Sequence, residues 1–141
     1  MRSPDQPVRI GMLGCGVVGS EVARLILADT AELSTRAGAK IELAKIAVRE
    51  IKSRPGIPTE LFTRDAMSIV NDSTIDLIIE VMGGIEPARE LILQAISNRK
   101  SIVTANKALL ASHGADLFTA AYAQGEDIYY EASVAGAIPI I

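Results

Sequence analysis

The sequence predicts an α/β fold, a mainly parallel sheet wound in both directions with helices on both faces. Three observations predict it. Hydrophobic residues make up 49% of the chain but aromatics only 4%, so a core must be built from Val, Ile, Leu and Ala, as in a sheet buried on both sides. Short branched apolar runs alternate with longer helical segments along most of the chain, the pattern of repeated βαβ units. Near the N-terminus, the apolar run Val8 to Leu13 enters Gly14-Cys15-Gly16-Val17-Val18-Gly19 and then an apolar helical segment, Val17 to Leu27. Strand, glycine turn and helix in that order open a Rossmann-like, doubly wound domain. A chain of 141 residues suits one such domain and can bury about two-thirds of its unfolded surface.

The G-x-G-x-x-G spacing assigns each glycine a task. Gly14 permits the tight turn, Gly16 lets backbone approach a diphosphate, and Gly19 lets the helix lie on the strand. Phosphate oxygens then meet free backbone N–H groups at the positive end of the helix. These residues are therefore expected to bind a dinucleotide.

Composition excludes other classes. The formal charge of -3 and the lack of a Lys/Arg block leave no basic face for nucleic acid. Cys15 is the sole cysteine, so no intramolecular disulfide forms. It reads as a small packing residue in a reducing compartment, with a reactive thiol the weaker reading. Residues 1–7 are polar with two prolines, unlike a secretory signal, and read as a disordered tail. No apolar run approaches ~18 residues, so no membrane span and a cytoplasmic protein are expected.

Along the chain, the polar stretch Asp29 to Lys40 reads as a continued or second helix stopped by Gly38, before a strand over Ile41 to Val48. That strand ends in Arg49-Glu50, where NAD folds usually place an acidic residue on the ribose and NADP folds an arginine near the extra phosphate. A guanidinium grips phosphate with two parallel bonds, so Arg49 points to NADP, with NAD through Glu50 as the alternative. Pro55, Gly56 and Pro58 mark a loop. A short strand over Leu61 to Thr63, a short helix from Asp65 to Val70 and a buried strand from Ile75 to Met82 follow. Asp76 and Glu80 flank its Leu77-Ile78-Ile79 run without an evident role. Gly83-Gly84 then lie beyond a strand end, where they would let a flat ring approach the backbone or simply turn the chain into a helix over Glu86 to Asn98. A fifth strand, Ser101 to Thr104, runs into Asn106-Lys107 and a helix to about Ala123. Lys107 sits at the ligand edge, at a helix start that disfavours a cation, which argues for a cofactor, substrate or proton-handling role. His113 lacks the partners of a metal or acid–base set and reads as structural. A sixth strand covers Ile128 to Glu131.

Four separated motifs carry a family resemblance: Gly14 to Gly19; Glu80-Val81-Met82-Gly83-Gly84-Ile85-Glu86-Pro87-Ala88; Thr104 to Leu109; and Tyr130-Glu131-Ala132-Ser133-Val134-Ala135-Gly136-Ala137-Ile138-Pro139-Ile140-Ile141. Together they resemble homoserine dehydrogenase across nearly the whole chain. The resemblance implies an NAD(P)-dependent oxidoreductase that interconverts L-homoserine and L-aspartate 4-semialdehyde in threonine and methionine biosynthesis. It implies cofactor contacts by Val17, Val18, Arg49, Gly83 and Lys107, with Lys107 near the reaction centre. It also implies a monovalent-cation site, such as one for sodium, on Glu131, Val134, Gly136 and Ile138. In the family the proton-transfer lysine and the carboxylates that hold the substrate amine belong to a second domain, and the enzyme is usually a homodimer.

Residues 8–132 are thus expected to form the nucleotide-binding domain and 133–141 the start of a connection to a catalytic domain, the chain being a piece inactive on its own. A non-catalytic NADP-binding or oligomerisation module needs only the glycine turn and Arg49. Another dehydrogenase of the same fold would share the fingerprint but not the Asn106-Lys107 and Glu131-to-Ile141 segments.

Overall fold

The computed structural model describes residues 6–130. Its strands are β1 (Val8–Leu13), β2 (Ile41–Ala47), β3 (Phe62–Thr63), β4 (Leu77–Glu80), β5 (Ser101–Thr104) and β6 (Ile128–Tyr130). Its helices are α1 (Val17–Ala28), α2 (Thr30–Ala37), α3 (Ala66–Val70), α4 (Ala88–Ser97) and α5 (Lys107–Gln124). The strands form one sheet in the order β3-β2-β1-β4-β5-β6, with every ladder parallel. That is the doubly wound Rossmann order, in which the winding reverses between β1 and β4.

Side chains alternate across the pleat and so feed two cores. Ile10, Met12, Leu77, Ile79 and Val103 pack with Val22, Ala23, Ile26 and Leu33 of α1 and α2. Leu13, Ile78 and Ile102 pack on the other face with Ile69, Leu91, Ile92, Leu109 and Leu117 of α3, α4 and α5. Gly11 belongs to this second face. A β-carbon there would lie 2.4 Å from Ile69 Cγ2, so α3 sits down on β1 where the β1–β2 register shifts, between Ile10 and Gly11.

Boundaries differ from expectation for local reasons. The stretch after α1 forms a second helix closed by Gly38 in the left-handed conformation, as its sequence predicts, but other ends shift. Strand β4 is shorter than Ile75 to Met82, because Ile75 donates its N–H to Asp72 (3.1 Å) before the ladder begins. At its other end the Met82 N–H turns to the Glu80 side chain. Leu61 closes a 3-10 turn, Thr59–Leu61, ahead of β3. Helix α4 starts at Ala88, and the Pro87 carbonyl accepts its first bond, from Leu91 (3.0 Å).

The edge of the sheet opposite the glycine turn is clamped by Lys100. Its Nζ donates to the carbonyls of Asp72 (2.6 Å) and Ile75 (2.7 Å), and the residue is 2% exposed. Burial pushes its ammonium below the usual lysine range, against the opposing pull of Asp72 and Asp76. Asp72 is held below the usual carboxylate range by hydrogen bonds from the Thr74 hydroxyl and N–H. Among the described residues, no helix is long and apolar enough to cross a membrane.

Candidate nucleotide-binding site

Parallel strands deliver their C-terminal ends to one edge, and the order β2, β1, β4, β5 decides what meets there. Arg49 follows β2, the glycine turn follows β1, Gly83 and Gly84 follow β4, and Lys107 opens the helix after β5. Adjacent strands lie about 4.8 Å apart, so these groups span roughly 14 Å across the sheet, along the crevice where such folds take ligands. All the sequence-derived candidates within the described residues therefore come together on one edge. The cation-site candidates Glu131, Val134, Gly136 and Ile138, the connection 133–141 and most of the N-terminal tail lie outside the described residues.

The glycine turn fits a diphosphate. Gly14 has φ +104° and backs onto the Val81 carbonyl, 3.0 Å from where a β-carbon would stand. A β-carbon on Gly19 would come within 2.9 Å of the Gly14 carbonyl oxygen. At Gly16 it would meet nothing within 4 Å, so the space before α1 is open. The first i→i−4 bond of α1 runs from Ser20 to Gly16 (2.9 Å), and the helix has no side-chain cap. The N–H groups of Val17, Val18 and Gly19 precede that bond and so lack a carbonyl partner within the helix, at the positive end of its dipole. Val17 is 82% exposed and Val18 45%, so both present apolar surface beside the glycine turn. Cys15, 7% exposed, turns inward with Sγ 3.4 Å from Ser20 Oγ, as a packing residue does.

Arg49 is exposed just past β2, next to Val48, whose N–H bonds the Thr63 carbonyl (2.9 Å). Lys107 is exposed at the first position of α5, after the cap residue Asn106. His113 lies partly buried within α5. Among the described residues, no cluster of His, Cys, Asp and Glu could hold a metal. A groove lined by Phe118, Tyr122, Asp127 and Ile128 opens at the start of β6, on the far edge of the sheet.

The sequence reading passed over Glu80. It is wholly buried, with Oε1 accepting the Thr104 hydroxyl (2.6 Å) and Oε2 the Met82 N–H (2.9 Å). Asn106 Nδ2 approaches Oε2 at 3.5 Å and donates to the Gly84 carbonyl at 2.6 Å. The available signal was two polar residues, Glu80 and Thr104, closing adjacent apolar strands in register.

Comparison with known proteins agrees with this geometry. The family model described as homoserine dehydrogenase, NAD binding domain, matches residues 14–131. A homoserine dehydrogenase of Corynebacterium glutamicum is 47% identical over 141 residues, 99% of this chain and 32% of that protein. The crystal structure of a homoserine dehydrogenase from Thiobacillus denitrificans superposes with a TM-score of 0.83 at 39% identity, covering 90% of this chain and 30% of the other. A hyperthermophilic archaeal homoserine dehydrogenase in complex with NADPH gives a TM-score of 0.72 at 20% identity, over 90% of this chain and 44% of the other, a likeness of fold alone. The chain thus spans about a third of the length of the bacterial relatives it matches. By its sequence, its strand order and its glycine turn, the chain belongs to the homoserine dehydrogenase NAD-binding domain family.

Proposed function

We propose that this chain is the cofactor-binding part of a homoserine dehydrogenase, a cytoplasmic enzyme that interconverts L-homoserine and L-aspartate 4-semialdehyde with NADP in preference to NAD. Residues 8–132 form its nucleotide domain, and residues 133–141 lead toward the catalytic part. The observation that supports this reading is the strand order, by which Arg49, the glycine turn, Gly83-Gly84 and Lys107 follow one another along one edge of the sheet. When bound, the nicotinamide group supplies hydride transfer. The protein's own part is electrostatic and positional. The amides of Val17, Val18 and Gly19 hold the diphosphate, Arg49 takes the 2′-phosphate, and Gly83-Gly84 admit the ring. Lys107, beside that place, orients the ring amide or the substrate oxygen. A monovalent cation at Glu131, Val134, Gly136 and Ile138 and assembly as a homodimer belong to the same proposal.

By the family resemblance, the proton-transfer lysine and the amine-binding carboxylates belong to a second domain rather than to the nucleotide domain. The chain by itself is therefore expected to bind nucleotide and to oxidise homoserine poorly or not at all. Calorimetric titration with NADPH and NADH, paired with a homoserine oxidation assay, tests both halves. Failure to bind either nucleotide overturns the cofactor assignment, and turnover near that of a full-length enzyme overturns the division of labour.

A further inference from the structure

Among the described residues, Glu80 is the only acidic side chain counted as buried, at 0% exposure, and it has no cationic partner within ion-pair reach. Every polar contact it makes is with a donor: the Thr104 hydroxyl, the Met82 N–H and, at the long limit, Asn106 Nδ2. Thr104 Oγ1 in turn accepts the Asn106 N–H (3.0 Å). Asn106 caps α5 by accepting the Leu109 N–H (3.0 Å) and holds the Gly84 carbonyl (2.6 Å). The hydrogen bonds therefore run one way. The single Thr104 proton goes to Glu80, and its lone pair serves Asn106.

Beyond the β4–β5 ladder, which pairs Glu80 with Thr104 and carries the Ala105 N–H to the Glu80 carbonyl (3.3 Å), this network ties side chains across the Gly83-Gly84 turn after β4 to the cap of α5, whose first residue is Lys107. A buried carboxylate without a cation costs stability that an apolar side chain of similar size would not. Such a cost at the ligand edge of a sheet is the mark of a group retained for a site rather than for the fold. We propose that Glu80, acting through Thr104 and Asn106, is a positioning residue for the nicotinamide half of the cofactor, fixing the glycine turn and Lys107 on either side of the ring. The proposal rests on the reading that this crevice binds NADP.

The substitution Glu80→Gln tests it, because it keeps the shape and replaces one acceptor by a donor. The new amide faces either the Met82 N–H or the hydroxyl whose proton it displaces, so the one-way chain breaks. Two probes separate the halves of the site: NADP+, and adenosine 2′,5′-bisphosphate, which carries the adenosine and its 2′-phosphate but no nicotinamide. Loss of bonds to a charged group should weaken NADP+ binding by about ten-fold or more. Binding of the bisphosphate should stay within about two-fold, since Arg49 and the adenosine side of the crevice are untouched. Thr104→Ser should retain wild-type NADP+ affinity, and the isosteric Thr104→Val should reproduce Glu80→Gln, which decides the matter should the Gln variant not fold. Equal weakening of both probes, or of neither, makes Glu80 a purely structural cap and overturns the proposal. A wild-type chain that binds the bisphosphate but gains nothing from the nicotinamide overturns it too. One that binds neither probe refutes the cofactor assignment itself.

Discussion

The α-carbon of Gly19 faces the carbonyl oxygen of Gly14 so closely that an added β-carbon would stand 2.9 Å from it. Helix α1 crosses the end of β1 at a separation only hydrogen permits, whereas nothing crowds Gly16. The two positions should respond oppositely. Gly19→Ala should destabilise the fold by about 1–3 kcal/mol through overpacking. Gly16→Ala should change stability by no more than about 1 kcal/mol yet sharply reduce nucleotide affinity, because its methyl enters the phosphate space. Urea unfolding together with an NADP+ titration checks both, and similar stability losses would contradict the assignment of roles.

Arg49 stands exposed beyond β2. If it grips a 2′-phosphate, Arg49→Ala should weaken NADPH binding by about 1.5–3 kcal/mol and leave NADH binding nearly unchanged. The salt dependence of NADPH binding should become shallower at the same time. Parallel weakening of both nucleotides in calorimetry would remove Arg49 from the specificity role.

Lys100 gives stability a dependence on alkaline pH. Its pKa in the folded chain lies below the ordinary 10.5, so between the two values the unfolded chain binds more protons. The Lys100 contribution to stability therefore rises with pH through that window and levels off above 10.5. Lys100→Met should abolish the rise and cost about 1–3 kcal/mol by leaving the Asp72 and Ile75 carbonyls unpaired. Tyr129, raised by burial and by Asp127, acts in the opposite sense above its ordinary value of 10.0, so chemical denaturation is best compared below that pH. A mutant whose stability still climbs with the wild type would show that another group is responsible.

Cys15 faces the Ser20 hydroxyl inside the turn. Its thiol should react slowly with an aromatic disulfide reagent, at a rate set by opening of the α1 N-terminus, and saturating NADP+ should slow it further. Cys15→Ala should cost about 1 kcal/mol and leave nucleotide affinity unchanged. Fast labelling in the native state would instead mark the thiol as accessible.

What could be read in advance depended on whether the signal was local. Strands β1 and β5 and the start of α1 carry their own punctuation, a branched run meeting glycine or a capping Asn, and they form where the pattern places them. The apolar pattern overextends β4 because Ile75 is as apolar as its neighbours, and its turn to Asp72 removes it from the ladder. Glu80 was passed over for a related reason. An acidic residue after an apolar run ordinarily marks the return to solvent, and its burial follows only from Thr104, 24 positions on, arriving opposite it. Gly11 read as one more strand residue, whereas its missing side chain is what admits Ile69 of α3. The shared edge of the candidate residues is legible because parallel strands must end on one edge, so placing each motif after a strand also places it beside the others.

The sheet order has a further consequence. Every pair of adjacent strands is also consecutive along the chain, except β1 and β4, which meet through Ile10–Leu13 against Leu77–Glu80. The molecule is two half-sheets stitched along one seam, and closing that seam is the long-range step for which the chain gives up most loop entropy. The glycine turn after β1 and Gly83-Gly84 after β4 flank the same line, so a nucleotide bound as proposed would clasp both halves and resist their parting.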